Sequence, residues 1–372
     1  MNFELTEAQE ELKNAVRSVL VERCSPSLAR GLIETSVAPE QPWASAVELG
    51  WPAIAVAEEH GGLGLGFAEL ALVIEEHARV LAPGPFFATT TQFAPIVREA
   101  GDPGQRERWL GGVASGAVTG ALAVAGMATS GLEPDASLRA VRDGADYVLQ
   151  GERHFVLDGT TADEIAVAAQ VDEGDGIGLF VLPRSALQVQ TVKSLDPSRP
   201  LATLRFDAVR VGADRILGRP GAAKAALARA LQESVTALAI DIVGTCQGLL
   251  ERVLDHAKQR KQFDQPIGAF QAVQHKCTDM YVAIEKARAT AAFATMVLAE
   301  DDPRRPLASS MAKAAAGDCQ ASVCKEGIQI HGGMGFTWES DVQLFVKRAK
   351  SSGHILGTAG EHRQRIADFM RL

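Results

Sequence analysis

Between Gly221 and Gln265 the chain carries no proline, and Leu227, Leu231, Leu238, Ile242 and Leu249 recur at spacings of four and seven. That periodicity puts one apolar stripe along one helix face, so a single long helix is the economical reading. A helix of that length has to bury its stripe against companions. Phe270 to Glu300 reads as a second helix, stopped by Asp301, Asp302 and Pro303, and Leu307 to Ile328 as a third. With a shorter helix behind them, residues 216–372 are expected to form an antiparallel four-helix bundle.

The rest of the chain divides by period. Residues 1–116 read as helical. Thr6 and Gln9 form a capping-box start ahead of Leu12, Val16, Val19 and Leu20, and the glycine run Gly61 to Gly66 punctuates a loop between helices. From 117 to 215 short Val- and Leu-rich runs, Tyr147–Leu149, Ile165–Ala168, Leu179–Leu182 and Leu204–Phe206, alternate with Gly, Asp and Pro. Such runs predict a small, barrel-like β domain. The fold class expected is therefore α+β: helical domain, β domain, helical bundle.

Composition excludes several functions. The 372 residues carry a formal net charge of −9 and no basic patch dense enough for nucleic acid. No apolar run reaches the roughly 20 residues of a membrane span. The start, Met1-Asn-Phe-Glu-Leu-Thr-Glu7, lacks the charged-then-apolar order of a secretory signal. Five cysteines, at 24, 246, 277, 319 and 324, show no metal-ligand spacing and read as reduced thiols of a cytoplasmic protein. An anionic ligand would have to rely on local Lys, Arg and helix N-termini.

Gly332, Gly333 and Gly335 close the third helix, where bare backbone amides can approach a large anion. They stand in order with Arg260-Lys-Gln-Phe263, Pro266-Ile-Gly-Ala-Phe-Gln271, Gln329-Ile-His-Gly-Gly333 and Gly357-Thr358. This ordered set resembles the C-terminal domain of the flavin-dependent acyl-CoA dehydrogenases, and the resemblance runs over essentially the whole chain. In that family FAD is shared between subunits. The resemblance implies that Arg260 pairs with the diphosphate, that Phe263 and Ile267 give apolar contact, and that Gln271, Gln329 and the backbone of Gly332 and Gly333 give hydrogen bonds. Gln262, Phe270, Ile330, His331 and Thr358 fall at adjoining cofactor-binding positions. His331 and His354 read as structural or cofactor-proximal.

Three departures from the family pattern bear on chemistry. The glutamate that removes the substrate α-proton stands just before Gly-Thr; here that residue is Leu356, which has no lone pair to accept a proton. The Thr-Glu-Pro-Gly-x-Gly-Ser-Asp stretch that holds the flavin ring is replaced by Val124 to Gly131, and the Trp-Ile-Thr/Ser strand by His154 to Asp158, where only Phe155 could still stack on a ring. Some members place the base on the long helix. That position carries over to Ser234, leaving Glu233 about 100° away around the helix as a weak candidate and Asp241 a weaker one.

No catalytic residue is therefore assigned. The chain is expected to be the degenerate β subunit of an α2β2 heterotetramer, similar to the bacterial enzymes of sterol side-chain degradation. A related subunit would bring the ring pocket and the base, with an acyl-CoA as substrate and an electron-transfer flavoprotein as acceptor. The alternatives are a homomeric dehydrogenase with Glu233 as relocated base, and an acyl-CoA-binding or structural subunit with no part in a flavin site.

Overall fold

The computed structural model describes residues 4–35, 37, 39–127 and 131–372. Helices come first: α1 (Glu7–Arg23), α2 (Pro26–Thr35), α3 (Gln41–Glu48), α4 (Phe67–Arg79), α5 (Phe86–Ala88), α6 (Ala94–Ala100) and α7 (Pro103–Ala114). The expected capping box opens α1, with the Gln9 amide and the Thr6 backbone each satisfied by the other's side chain at 3.3 and 3.0 Å. A π-helical turn, Thr89–Phe93, joins α5 to α6. Such turns occur often at functional sites, and the Thr91 carbonyl there accepts the Ser234 hydroxyl at 2.6 Å.

Strands β1 (Gly120–Ala123), β2 (Leu138–Asp143), β3 (Asp146–Leu157), β4 (Glu164–Gln170), β5 (Ile177–Pro183), β6 (Gln188–Val192), β7 (Leu201–Val211) and β8 (Ile216–Leu217) follow. They form a sheet in the order β6-β7-β3-β2-β4-β5-β8, with β1 parallel to β4. One face packs a core of its own around Tyr147, Phe180 and Leu204. The other, with Leu122, Leu179 and Val181, joins the larger core of the helices. Burial on both faces explains why β4 reads as a continuous apolar run instead of alternating.

The C-terminal half comprises α8 (Lys224–Gln259), a hairpin of β9 (Lys261–Gln262) and β10 (Gln265–Pro266), then α9 (Gln271–Ala299), α10 (Arg305–His331), α11 (Val342–Ser352) and α12 (Ala359–Phe369). The apolar stripe of α8 is buried as its spacing requires: Leu227, Leu238, Ile242 and Leu249 are each at most 2% exposed. Each such side chain stabilises the fold by about 1.5–3 kcal/mol. Gly244 and Gly248 let α8 lie directly on α4, since a Cβ at either would come within 2.2 Å of a backbone oxygen, of Glu75 or of Arg79. The helix is shorter than the proline-free stretch suggests. It stops at Gln259 because residues 261–266 pair with one another, Phe263 and Asp264 turning the hairpin at φ of 55° and 62°. Among the described residues no helix is long and apolar enough to cross a membrane.

Candidate functional site

The cofactor-binding residues expected from the sequence fall into two groups. The larger gathers where α8 ends, α9 begins and α10 ends. Arg260 terminates α8 in an extended conformation and is exposed, with no carboxylate partner among the described residues. Gln262 lies on β9, its side-chain amide donating to the Lys261 carbonyl at 2.9 Å. Phe263 sits at the hairpin tip, 86% exposed, edge-on to Phe270 at 6.0 Å. The hairpin folds back on α8 through the Ile267 N–H, which donates to the Arg260 carbonyl at 2.8 Å.

Phe270 is the N-cap of α9 and brings no side-chain oxygen to the first turn, where Gln271 is exposed. The free N–H groups and positive end of a long helix thus open beside an unpaired guanidinium, an arrangement that favours an anion. From α10 come Gln329, exposed, Ile330, packed on the core, and His331. The His331 Nδ1–H donates to the Gly327 carbonyl at 2.9 Å, and its ring stacks on His256 of α8 at 4.3 Å. Burial holds both imidazoles below their ordinary pKa, and for His256 the charges of His331 and Arg260 add to this. Gly332, at φ +60°, and Gly333 have no atom within 4 Å of where a Cβ would stand. Their backbone is open to a ligand, as a diphosphate cradle requires. His256, four residues before Arg260, is a member that the motif spacing does not reveal.

Thr358 stands apart from this cradle. It caps α12, its hydroxyl and amide held by the Glu361 carboxylate at 2.8 and 2.7 Å. The preceding loop is strapped to the other end of α10. Lys313 Nζ, fully buried, donates to the carbonyls of Ser352, Gly353 and Gly357 at 3.0, 3.2 and 2.8 Å. The His362 Nε2–H donates to the Leu356 carbonyl at 2.8 Å, leaving Nδ1 to accept from Ser310 at 3.3 Å. Burial pushes Lys313 down to about 7 and His362 down to about 4.

Leu356, at φ 52° and 9% exposed, projects from this strap into the wall of a cavity of about 470 Å³. Gln92 of the π turn, Leu122 and Val124 of the β1 end, and Leu201 share that wall. So does Phe155, which a bulge in β3 and a φ of 56° turn outward. Among the described residues no Asp or Glu lines the cavity. Ala128, Thr129 and Ser130, from the stretch compared above with the ring-binding loop, lie outside the described residues.

Neither candidate base reaches this wall. Glu233 is buried against Arg98 at 2.5 Å, and Ser234 faces the Thr91 carbonyl as the helix rotation demands. Asp241 is buried in an ion pair with Arg199 and accepts the Ser352 hydroxyl at 2.8 Å. His354 lines the same cavity, its Nδ1–H donating to the Lys350 carbonyl.

The chain matches the family model of the acyl-CoA dehydrogenase N-terminal domain over residues 6–117 and that of the C-terminal domain over residues 224–370. It is 31% identical over 366 residues to the cyclohex-1-ene-1-carbonyl-CoA dehydrogenase of Syntrophus aciditrophicus (strain SB), covering 95% of this chain and 88% of that one. The chain belongs to the acyl-CoA dehydrogenase family. A solved steroid ACAD, Tcur3481-Tcur3483, superposes with a TM-score of 0.88 at 29% identity, covering 98% of each chain. The ChsE4-ChsE5 complex from Mycobacterium tuberculosis has the same fold, with a TM-score of 0.91 at 24% identity over 100% of this chain and 99% of that one.

Members of the acyl-CoA dehydrogenase family are FAD-dependent oxidoreductases, and the cradle fits that cofactor. An open glycine backbone, a free arginine and an uncapped helix start meet in one place, and together they suit a dinucleotide diphosphate. The cavity fits the family's chemistry less well, because no carboxylate among the described residues faces it.

Proposed function

We propose that this chain is the non-catalytic partner in a heteromeric acyl-CoA dehydrogenase. It lends the adenosine and diphosphate half of a FAD site through Arg260, the Phe263 hairpin, the α9 start and the Gln329 to Gly333 loop. A related subunit supplies the ring pocket and the catalytic glutamate, in an α2β2 assembly with two flavins. FAD supplies the hydride acceptor for α,β-desaturation of an acyl-CoA, and an electron-transfer flavoprotein is the acceptor that fits. The likeness to a steroid ACAD favours a sterol side-chain CoA ester as substrate.

The observation that carries this reading is Leu356. The backbone that should present a base is held by two buried side chains, yet it presents a hydrocarbon. Proton abstraction needs a positioned acceptor within hydrogen-bond reach, and the two nearest carboxylates on α8 are committed to Arg98 and Arg199. A homomeric enzyme using Glu233 would need that pair to break and the side chain to turn about 100° around α8.

Flavin per chain, measured on this protein alone and after co-expression with a related subunit, tests the proposal. Little flavin alone and one flavin per pair together are expected. Arg260→Ala in the complex should lower flavin content at least tenfold, the scale of a lost charge-assisted contact. A full complement on the isolated chain overturns the reading. Unchanged flavin in the Arg260→Ala complex favours instead a structural subunit outside any flavin site.

A further inference from the structure

If the reactive end of the flavin lies in the partner's pocket, the cavity beside Leu356 is left without its usual occupant. It has not collapsed. At about 470 Å³ it falls within the roughly 300–1,000 Å³ of small-molecule sites. Its walls are largely hydrocarbon, contributed by Leu122, Val124, Leu157, Leu201 and Leu356, with Gln92, His154 and His354 among the polar residues. Hydrocarbon walls alone would not distinguish one apolar ligand from another, but two further residues lining the cavity do.

Lys193, exposed on the segment after β6, and Lys350, half-buried on the last turns of α11, both line the cavity. Among the described residues neither has a carboxylate within ion-pair distance, whereas most arginines of this chain are paired. No acid among the described lining residues competes for them. The arrangement is complementary to a molecule with an apolar body and a single anionic group, and it opposes a cation.

We propose that this cavity is a ligand site for an anionic amphiphile of the carboxylic acid class, its body against the leucines and its carboxylate between Lys193 and Lys350. Phe155, 42% exposed at the same wall, covers one face of the body. Because no carboxylate among the described residues faces the cavity and, on the reading proposed above, the flavin ring is bound by the partner, the ligand is held and not turned over. The inference rests on the reading that the flavin ring is bound by the partner subunit, and the test separates the two.

The delipidated full chain is titrated with cis-parinaric acid, whose fluorescence reports an apolar site, and separately with FAD. Saturable binding of one probe per chain is expected. It should weaken roughly tenfold in Lys193→Gln/Lys350→Gln, the scale of a charge-assisted contact, and several-fold in Phe155→Ala, an exposed position whose loss leaves the fold intact. Displacement by palmitate but not by palmityl alcohol completes the expected pattern. No saturable binding, or binding indifferent to the lysine changes, overturns the site and leaves the heteromer reading standing. One FAD per chain that excludes the probe overturns both.

Discussion

The cradle at the end of α10 and the cavity beside the Leu356 loop are built on opposite principles. From Lys313 to Gln329 is 16 residues, roughly 24 Å of helix. The cradle is exposed, cationic and backbone-rich. The cavity is walled by the chain's own β sheet and helices, is largely apolar, and among the described residues carries no acid. The strap around Leu356 shows how this can be. Lys313 and His362 grip only carbonyls, so the loop keeps its form whichever side chain stands at 356. A backbone framework can thus hold its form independently of the side chain it presents, while a binding surface depends on its side chains directly.

Putting the acid back attacks that difference most directly. Leu356→Glu places a carboxylate at a nearly buried position in a wall shared with Leu122, Val124 and Leu201. A loss of about 3 kcal/mol is expected, read as a lowered unfolding midpoint in urea. If the partner holds the ring, as proposed, desaturase activity should stay absent in the isolated chain. Activity with an artificial electron acceptor would show that the cavity holds a working flavin after all.

The strap has a pH signature. Lys313 is held at about 7 against 10.5 in the unfolded chain. Between those values the unfolded state binds a proton that the folded state does not. Stability therefore rises with pH from about 7 to about 10, by at most about 1.4 kcal/mol per unit. Lys313→Met should remove that slope in urea titrations across the range; a slope unchanged by the substitution would mean the ammonium is not confined as described. His362 works on the acid side. Held at about 4 against 6.5 unfolded, it lowers stability as pH falls through that window. His362→Asn keeps a donor for the Leu356 carbonyl, so it should flatten the acid limb over a narrower span with a smaller total effect.

How much of this was legible in the sequence depends on how local each signal was. The Thr6/Gln9 box, the α8 stripe and the runs at 147–149, 165–168, 179–182 and 204–206 are set by neighbouring residues, and each lies in the element expected of it. β1, β2, β6 and β8 are short or half-exposed and gave no comparable run. The hairpin hid inside a proline-free stretch because its turn is made by Phe263 and Asp264, where Gly would have announced it. The cradle was readable because its residues are sequence neighbours in two segments. The cavity was not, since Gln92, Leu122, Lys193 and Leu356 come from four distant places in the chain. Lys313 could have been suspected as a lone charge in Ala312-Lys-Ala-Ala-Ala316, within an otherwise apolar helix face.

The smallest expected effect on stability comes from the cradle's own strained tip. Phe263 holds φ at 55° while 86% exposed, so its backbone is unfavourable and its ring gains little from burial. A non-glycine residue in this region costs on the order of 1 kcal/mol, and Asn accepts it more readily. The edge contact with Phe270 offsets this by about 0.5 kcal/mol at most in so exposed a place. Phe263→Asn should therefore stabilise the isolated chain by a few tenths of a kcal/mol, a rise measurable by urea unfolding. In the co-expressed complex the same change should lower flavin content several-fold, because the tip is shaped for a ligand outside its own chain. Opposite signs in the two assays mark a strained residue kept for binding. A gain in stability with flavin unchanged would remove the hairpin tip from the cradle and leave Arg260 and the glycine loop to hold the diphosphate.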